Sequence, residues 1–82
     1  MVNRERQDET VRRVEDIFSS YQPEQSGLIL GELSSLGFVR VGGNPAAVSM
    51  ENKGMEIFVV AGMDEQGRMV SHEIRRFEEI RK

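Results

Sequence analysis

Two short stretches constrain this chain more than any others: Glu51-Asn52-Lys53-Gly54 and Asp64-Glu65-Gln66-Gly67, each set between apolar runs. A turn cluster whose fourth residue is glycine, flanked by apolar runs, signals a type I turn with the glycine left-handed, closing a bulged hairpin. Two in succession specify an antiparallel meander. A third cluster, Gly42-Gly43-Asn44-Pro45, precedes them. The pattern therefore predicts four strands: "FVRV", "AAVSM", "MEIFVVAGM" and "RMVSHEI".

Turn type sets pairing, so a register follows. Three-residue hairpin loops place Asp64 opposite Arg68, Gly62 opposite Val70, Val60 opposite His72 and Phe58 opposite Ile74. The preceding hairpin sets Val48 opposite Phe58 and Ala46 opposite Val60. A four-residue loop at 42–45 adds Val41 opposite Ala46 and Val39 opposite Val48. One face then carries Val39, Val41, Ala46, Val48, Phe58, Val60, Val70, His72 and Ile74, and is the expected core. The other carries Arg40, Ala47, Ser49, Ile57, Val59, Ala61, Ser71, Glu73 and Arg75, and is the expected outer face. A slip of one residue would turn the core outward.

Ahead of the strands, "RERQDETVRRVEDIFSSY" (residues 4–21) reads as an amphipathic helix with Val11, Val14, Phe18 and Tyr21 on one side. Nothing apolar anchors its start, so residues 1–8 are expected to fray. Pro23 suits the first turn of a second helix, which places Ile29, Leu30, Leu33 and Leu36 on one face. A later start at about Gly27 fits equally. Gly27 and Gly31, four apart, would permit a close helix–helix approach, and Gly37 suits the left-handed position after the helix, with Phe38 as its apolar companion. In the tail, Phe77 and Ile80 favour a short closing helix over a continuation of strand four. The expected fold is α+β, one small domain over 1–82: two N-terminal helices packed on a four-stranded antiparallel meander.

Composition narrows the function classes. The chain has 82 residues and no cysteine, which excludes disulfides, iron–sulfur clusters and thiolate zinc sites and suits a reducing cytoplasm. No apolar run reaches the length of a membrane span, and the charged start "MVNRERQDET" has no hydrophobic segment after it. Net charge is −3, unevenly placed: four Arg against three acids in residues 1–14, two bases against eight acids in 15–67, and five bases against three acids in 68–82. The acidic middle argues against a protein that coats nucleic acid.

Catalytic signals are thin. His72 is the lone histidine and has no i+4 or cross-strand ligand partner, so no metal site or cofactor is expected. The acid pairs Glu15-Asp16, Asp64-Glu65 and Glu78-Glu79 diverge as neighbours and read as solvated. Gly42-Gly43-Asn44 opens a strand rather than a helix, and a hairpin turn explains it better than a phosphate cradle. Arg12, Arg13, Arg75 and Arg76, with Arg81-Lys82, would contact phosphates if the first helix and fourth strand merged them into one patch.

Two stretches resemble known families. "VEDIFSSYQPEQSGLILGELSSLGF" resembles the N-terminal helices of the thioredoxin-like iron–sulfur subunit of NADH dehydrogenases, whose cluster cysteines have no counterpart here. The order helix, "LGF", three strands and a tail helix is similar to the HicA-type ribonuclease toxins, which would imply a small nuclease. That family carries a Gly-Ser-His element after such a "GF". Here the stretch is "GFVRVGGNPAAV", and His72 falls in a later strand.

The leading expectation is a non-enzymatic protein-binding or regulatory module of inhibitor or adaptor type, binding another protein or itself as a homodimer. It would use the outer sheet face or an edge through Arg40, Ile57, Val59, Ala61, Met63, Met69, Glu73 and Arg75. The alternative is a nucleic-acid-binding module using Arg12, Arg13, Arg75 and Arg76.

Overall fold

The computed structural model describes residues 2–80, leaving Arg81-Lys82 outside it. Its elements are α1 (Arg4–Ser20), α2 (Ser26–Ser35), β1 (Val39–Asn44), β2 (Ala47–Asn52), β3 (Ile57–Met63), β4 (Met69–Arg76) and α3 (Phe77–Ile80). The strands form one antiparallel sheet in the order β1-β2-β3-β4. Two helices, a four-stranded meander and a short closing helix are thus the architecture that the turn signals predicted. The register is not, and neither are the faces of β1 and β3.

The β3–β4 turn forms as its residues require. Asp64 N–H donates to Arg68 O (3.0 Å), Gly67 N–H donates to Asp64 O (3.0 Å), and Gly67 takes φ +78. The Asp64 carboxylate accepts from the N–H of Arg68 (2.9 Å), the N–H of Gln66 (3.0 Å) and Arg68 Nε (2.6 Å). Beyond the turn, Met63 faces Met69 but Gly62 faces Ser71, so Val70 is an extra, bulged residue. The bulge slips the ladder by one: Ala61 faces His72 and Val60 faces Glu73.

That turn yields a pH prediction. The backbone bond from Arg68 is the main cause that lowers the Asp64 pKa. The Arg68 side-chain bond, the Gln66 backbone bond and the Arg68 charge act the same way, while desolvation opposes them. A depressed folded-state pKa stabilises the fold above the unfolded value, about 3.9, and that stability is lost as pH falls through the folded value. Asp64→Asn is expected to lower the thermal midpoint at neutral pH. The gap from wild type should close below about pH 4. A gap that ignores pH would contradict this.

The β2–β3 turn departs further from expectation. Asn52 faces Ile57, so the loop has four residues, and Glu56 rather than Gly54 is left-handed (φ +57). The Asn52 side chain organises it: Oδ1 accepts from Met55 N–H (3.0 Å), while Nδ2 donates to Leu36 O at the end of α2 (2.9 Å). At the first hairpin, Asn44 faces Ala47 across Pro45-Ala46, with Asn44 Oδ1 accepting from Ala46 N–H (2.8 Å). The β1–β2 ladder shifts between Arg40 and Gly42, leaving Val41 unpaired.

Those shifts invert the assignment of β1 and β3. Ile57, Val59 and Ala61, expected on the outer face, are buried with Val48, Met50 and Met69 of the sheet against Val14, Ile29, Leu33 and Phe38. Val39 and Val41, expected in the core, are exposed, as is every residue of β1. Phe58 and Val60 lie on the opposite side from the helices. Val48, His72 and Ile74 keep the helix-side face expected for them.

Helix α1 begins at Arg4 with Asn3 as its cap, its Oδ1 accepting from Arg6 N–H (3.1 Å). The first turns of the helix carry polar contacts to the rest of the chain. Gln7 is buried, Asp8 accepts from Arg76 (2.6 Å), and Arg4 pairs with Glu78. Helix α2 takes the later of its two starts, and Gly27 and Gly31 meet open space rather than a neighbouring helix. Gly37 takes φ +99, and the N–H groups of Gly37 and Phe38 reach Ser34 O (3.0 Å) and Leu33 O (3.1 Å). That is the reciprocal pair of bonds by which a left-handed residue satisfies a helix end.

Candidate functional site

With both long helices on one side, the sheet offers its other face uncovered. The register lays out its rows. Val39, Glu51, Phe58 and Arg75 form one, Ser49, Val60 and Glu73 the next, and Ala47, Gly62 and Ser71 the third. Phe58 and Val60 stand at the centre, half-buried by strand neighbours, and neither belongs to the apolar cluster beneath the helices. Gly62 keeps the third row flat, because the Ser71 side chain occupies the space that a Cβ there would need. Charges rim the centre. Arg75 Nη2 lies 3.2 Å from Glu73 Oε2, and Lys53 Nζ lies 3.8 Å from Glu51 Oε1.

Of the eight residues expected to bind a partner, only Glu73 and Arg75 are on this face. Ile57, Val59, Ala61 and Met69 are buried, Met63 packs partly against the core, and Arg40 is exposed on β1 with the helix-side parity of Met50. Phe58, Val60, Ser49 and Glu51 replace them. The signal lay in β2, where Val48 and Met50 alternate cleanly with Ser49 and Glu51.

The arginines do not gather into one patch. Arg76 is engaged by Asp8 and Gln7, and Arg75 lies on the uncovered face beside Glu73. Arg12 shares a flank of α1 with Asp8 and Glu15, which meet Arg76 and His72 of β4. Arg13 lines clefts on the other flank, near Leu36 and Asn52.

His72 stacks on Phe18 with ring centroids 4.1 Å apart, and its Nε2 lies 3.5 Å from Glu15 Oε2. A carboxylate therefore approaches the histidine from α1, not from Glu73. The cleft beside it holds about 170 Å³ between Phe18, Tyr21, Pro23, Ile29 and Met69–His72. Ser71 also lines the cleft, but its hydroxyl is turned to the other face, against Gly62. Among the described residues no three His, Asp or Glu side chains are placed to hold a metal ion, and no helix is long and apolar enough to cross a membrane.

Compared with known proteins, the chain matches no protein-family model, no curated protein and no solved structure. The functional reading therefore rests on the sheet face itself.

Proposed function

We propose that the protein is a non-enzymatic protein-binding module, of regulatory or adaptor type, that acts through the uncovered face of its sheet. One observation carries this: the centre of that face is Phe58 and Val60, apolar side chains outside the helix-packed core and rimmed by Glu51, Glu73 and Arg75. An antiparallel sheet with one solvated face ordinarily alternates apolar-in with polar-out, and β3 departs from that rule. An apolar centre within a charged rim is the arrangement of a docking surface. The lack of cysteine agrees with action in the cytoplasm.

The test is affinity capture from a lysate of the cell of origin, with wild type and Val60→Lys side by side, with and without nuclease. The expected result is a protein held by wild type, resistant to nuclease and lost with Val60→Lys. Captured proteins indifferent to Val60→Lys would remove this reading. Material lost on nuclease treatment would move the assignment to Arg12, Arg13, Arg75 and Arg76, with binding that falls steeply as salt rises.

A further inference from the structure

The charge pattern of the uncovered face points to its occupant: we infer that it docks a second copy of this chain, face to face, about a two-fold axis running along β3. The inference rests on the reading of that face as a docking surface and adds the partner. Its basis is the row Glu51–Phe58–Arg75, in which an acid and a base lie one strand to either side of a central phenylalanine. Rotation about an axis parallel to β3, midway between two sheets, sets β2 of each copy over β4 of the other and preserves height along the strands.

Phe58 then meets the partner's Phe58, and Val60 meets the partner's Val60. Glu51 meets the partner's Arg75 and Arg75 the partner's Glu51, while Ser49 presents its hydroxyl to the partner's Glu73. Apolar meets apolar, acid meets base twice, and the remaining carboxylate meets a donor. Packed sheets stand about 10 Å apart, which leaves room for an offset pair of phenylalanine rings.

Other axes serve the face less well. An axis across the strands at the Phe58 row would set Glu51 over the partner's Glu51 and Arg75 over the partner's Arg75, which repel. An axis across the strands between the Phe58 and Val60 rows would bring Arg75 over the partner's Glu73 but leave Glu51 facing only a serine. Glu51 is already the less exposed acid, its side chain 21% accessible against 58% for Glu73. Its in-chain partner Lys53 stands 3.8 Å away on a side chain 81% accessible, a looser pair than Glu73 makes, so Glu51 gains more from an incoming cation when water is expelled. Glu73 keeps its in-chain Arg75.

The overlap is small. Three strands at about 4.8 Å spacing and six residues at about 3.3 Å rise give a footprint of roughly 14 by 20 Å per copy. That lies below the footprint of a stable interface, so association belongs at micromolar concentrations or weaker.

Sedimentation of the purified chain from about 10 μM to about 1 mM tests this range. Wild type is expected to dimerise, and Glu51→Arg and Arg75→Glu each to weaken dimerisation tenfold or more by setting like charges face to face twice. An equimolar mixture of the two variants is expected to recover a heterodimer, because both facing pairs become opposite in sign. The doubly reversed chain is expected to recover a homodimer. Unfolded variants could not rescue one another, so recovery also controls for folding.

A wild type that stays monomeric throughout overturns the proposal, as does a mixture that fails to recover. Loss with Arg75→Glu but not Glu51→Arg would move the axis across the strands and overturn it too. If wild type is monomeric while Val60→Lys still strips a captured protein, the docking face stands with a different occupant. A monomer whose captured proteins ignore Val60→Lys removes both readings.

Discussion

Val59→Lys is expected to unfold the chain at room temperature, while Val60→Lys, one residue further along the same strand, is expected to leave it folded. Val59 is 1% exposed and lies between Met50 and Ile74 beneath the helices. A lysine there is desolvated with no carboxylate at hand. Full burial lowers a lysine pKa by about 3–5 units, so at neutral pH the side chain sheds its proton at a cost of about 4–5 kcal/mol, and the lost valine burial adds about 1.5–3 kcal/mol. At about 0.05–0.15 kcal/mol per residue, a chain of this length holds roughly 4–12 kcal/mol of stability in all. At position 60, half-buried on the uncovered face, the lysine stem lies along its strand neighbours and carries the ammonium out to water opposite Glu73, and the change stays within about 1 kcal/mol. Circular dichroism and thermal unfolding of the two variants decide the matter. A folded Val59→Lys beside an unfolded Val60→Lys would mean that β3 presents the other face to the helices.

That comparison also locates what could be read from the residues alone. The four strands, their order and the helix end at Gly37 follow from local chemistry, because Asp, Asn and Gly at turn positions act within a few residues of themselves. The faces of the sheet depend on carrying a parity across each turn, and a single extra residue reverses it. Val70 is such a residue, and nothing in "RMVSHEI" marks it as a bulge rather than a ladder position. The strand that could have corrected the slip is silent. In "IFVVAG" both alternating sets, Ile57/Val59/Ala61 and Phe58/Val60/Gly62, are free of charge, so period-two patterning favours neither. The candidate site inherited this error, which is why Ile57, Val59 and Ala61 stood in for Phe58 and Val60. Asn52 hid a second one: its amide joins the end of α2 to the following loop across 16 residues, a tertiary bond that no local turn rule anticipates.

The docking of α1 onto the far end of the sheet is likewise tertiary, and Gln7→Leu tests it. Gln7 is 1% exposed on an otherwise polar helix start. Its Nε2 donates to Met55 O (2.9 Å) and Glu56 O (3.4 Å), and its Oε1 accepts from Arg76 Nε (3.0 Å). One amide thus joins the first turns of α1, the β2–β3 loop and the last residue of β4. It also steadies Glu56, whose left-handed backbone is uncommon for a residue with a Cβ and whose carbonyl accepts from Phe77 N–H (2.8 Å) at the start of α3. Leucine fills a similar volume but leaves the Met55 carbonyl and the Arg76 guanidinium without that partner. Abandoning buried polar groups in this way costs about 2–4 kcal/mol, since hydrogen bonds to a charged donor are the costlier ones to lose. For a chain of this size that lowers the thermal midpoint by roughly 10–25 °C. Arg76→Met should lose much of the same stability, and the double variant less than the sum of the two, because both remove members of one network. Strict additivity would mean that Gln7 and Arg76 act separately and that the start of α1 is held by Asp8 and Arg4 alone.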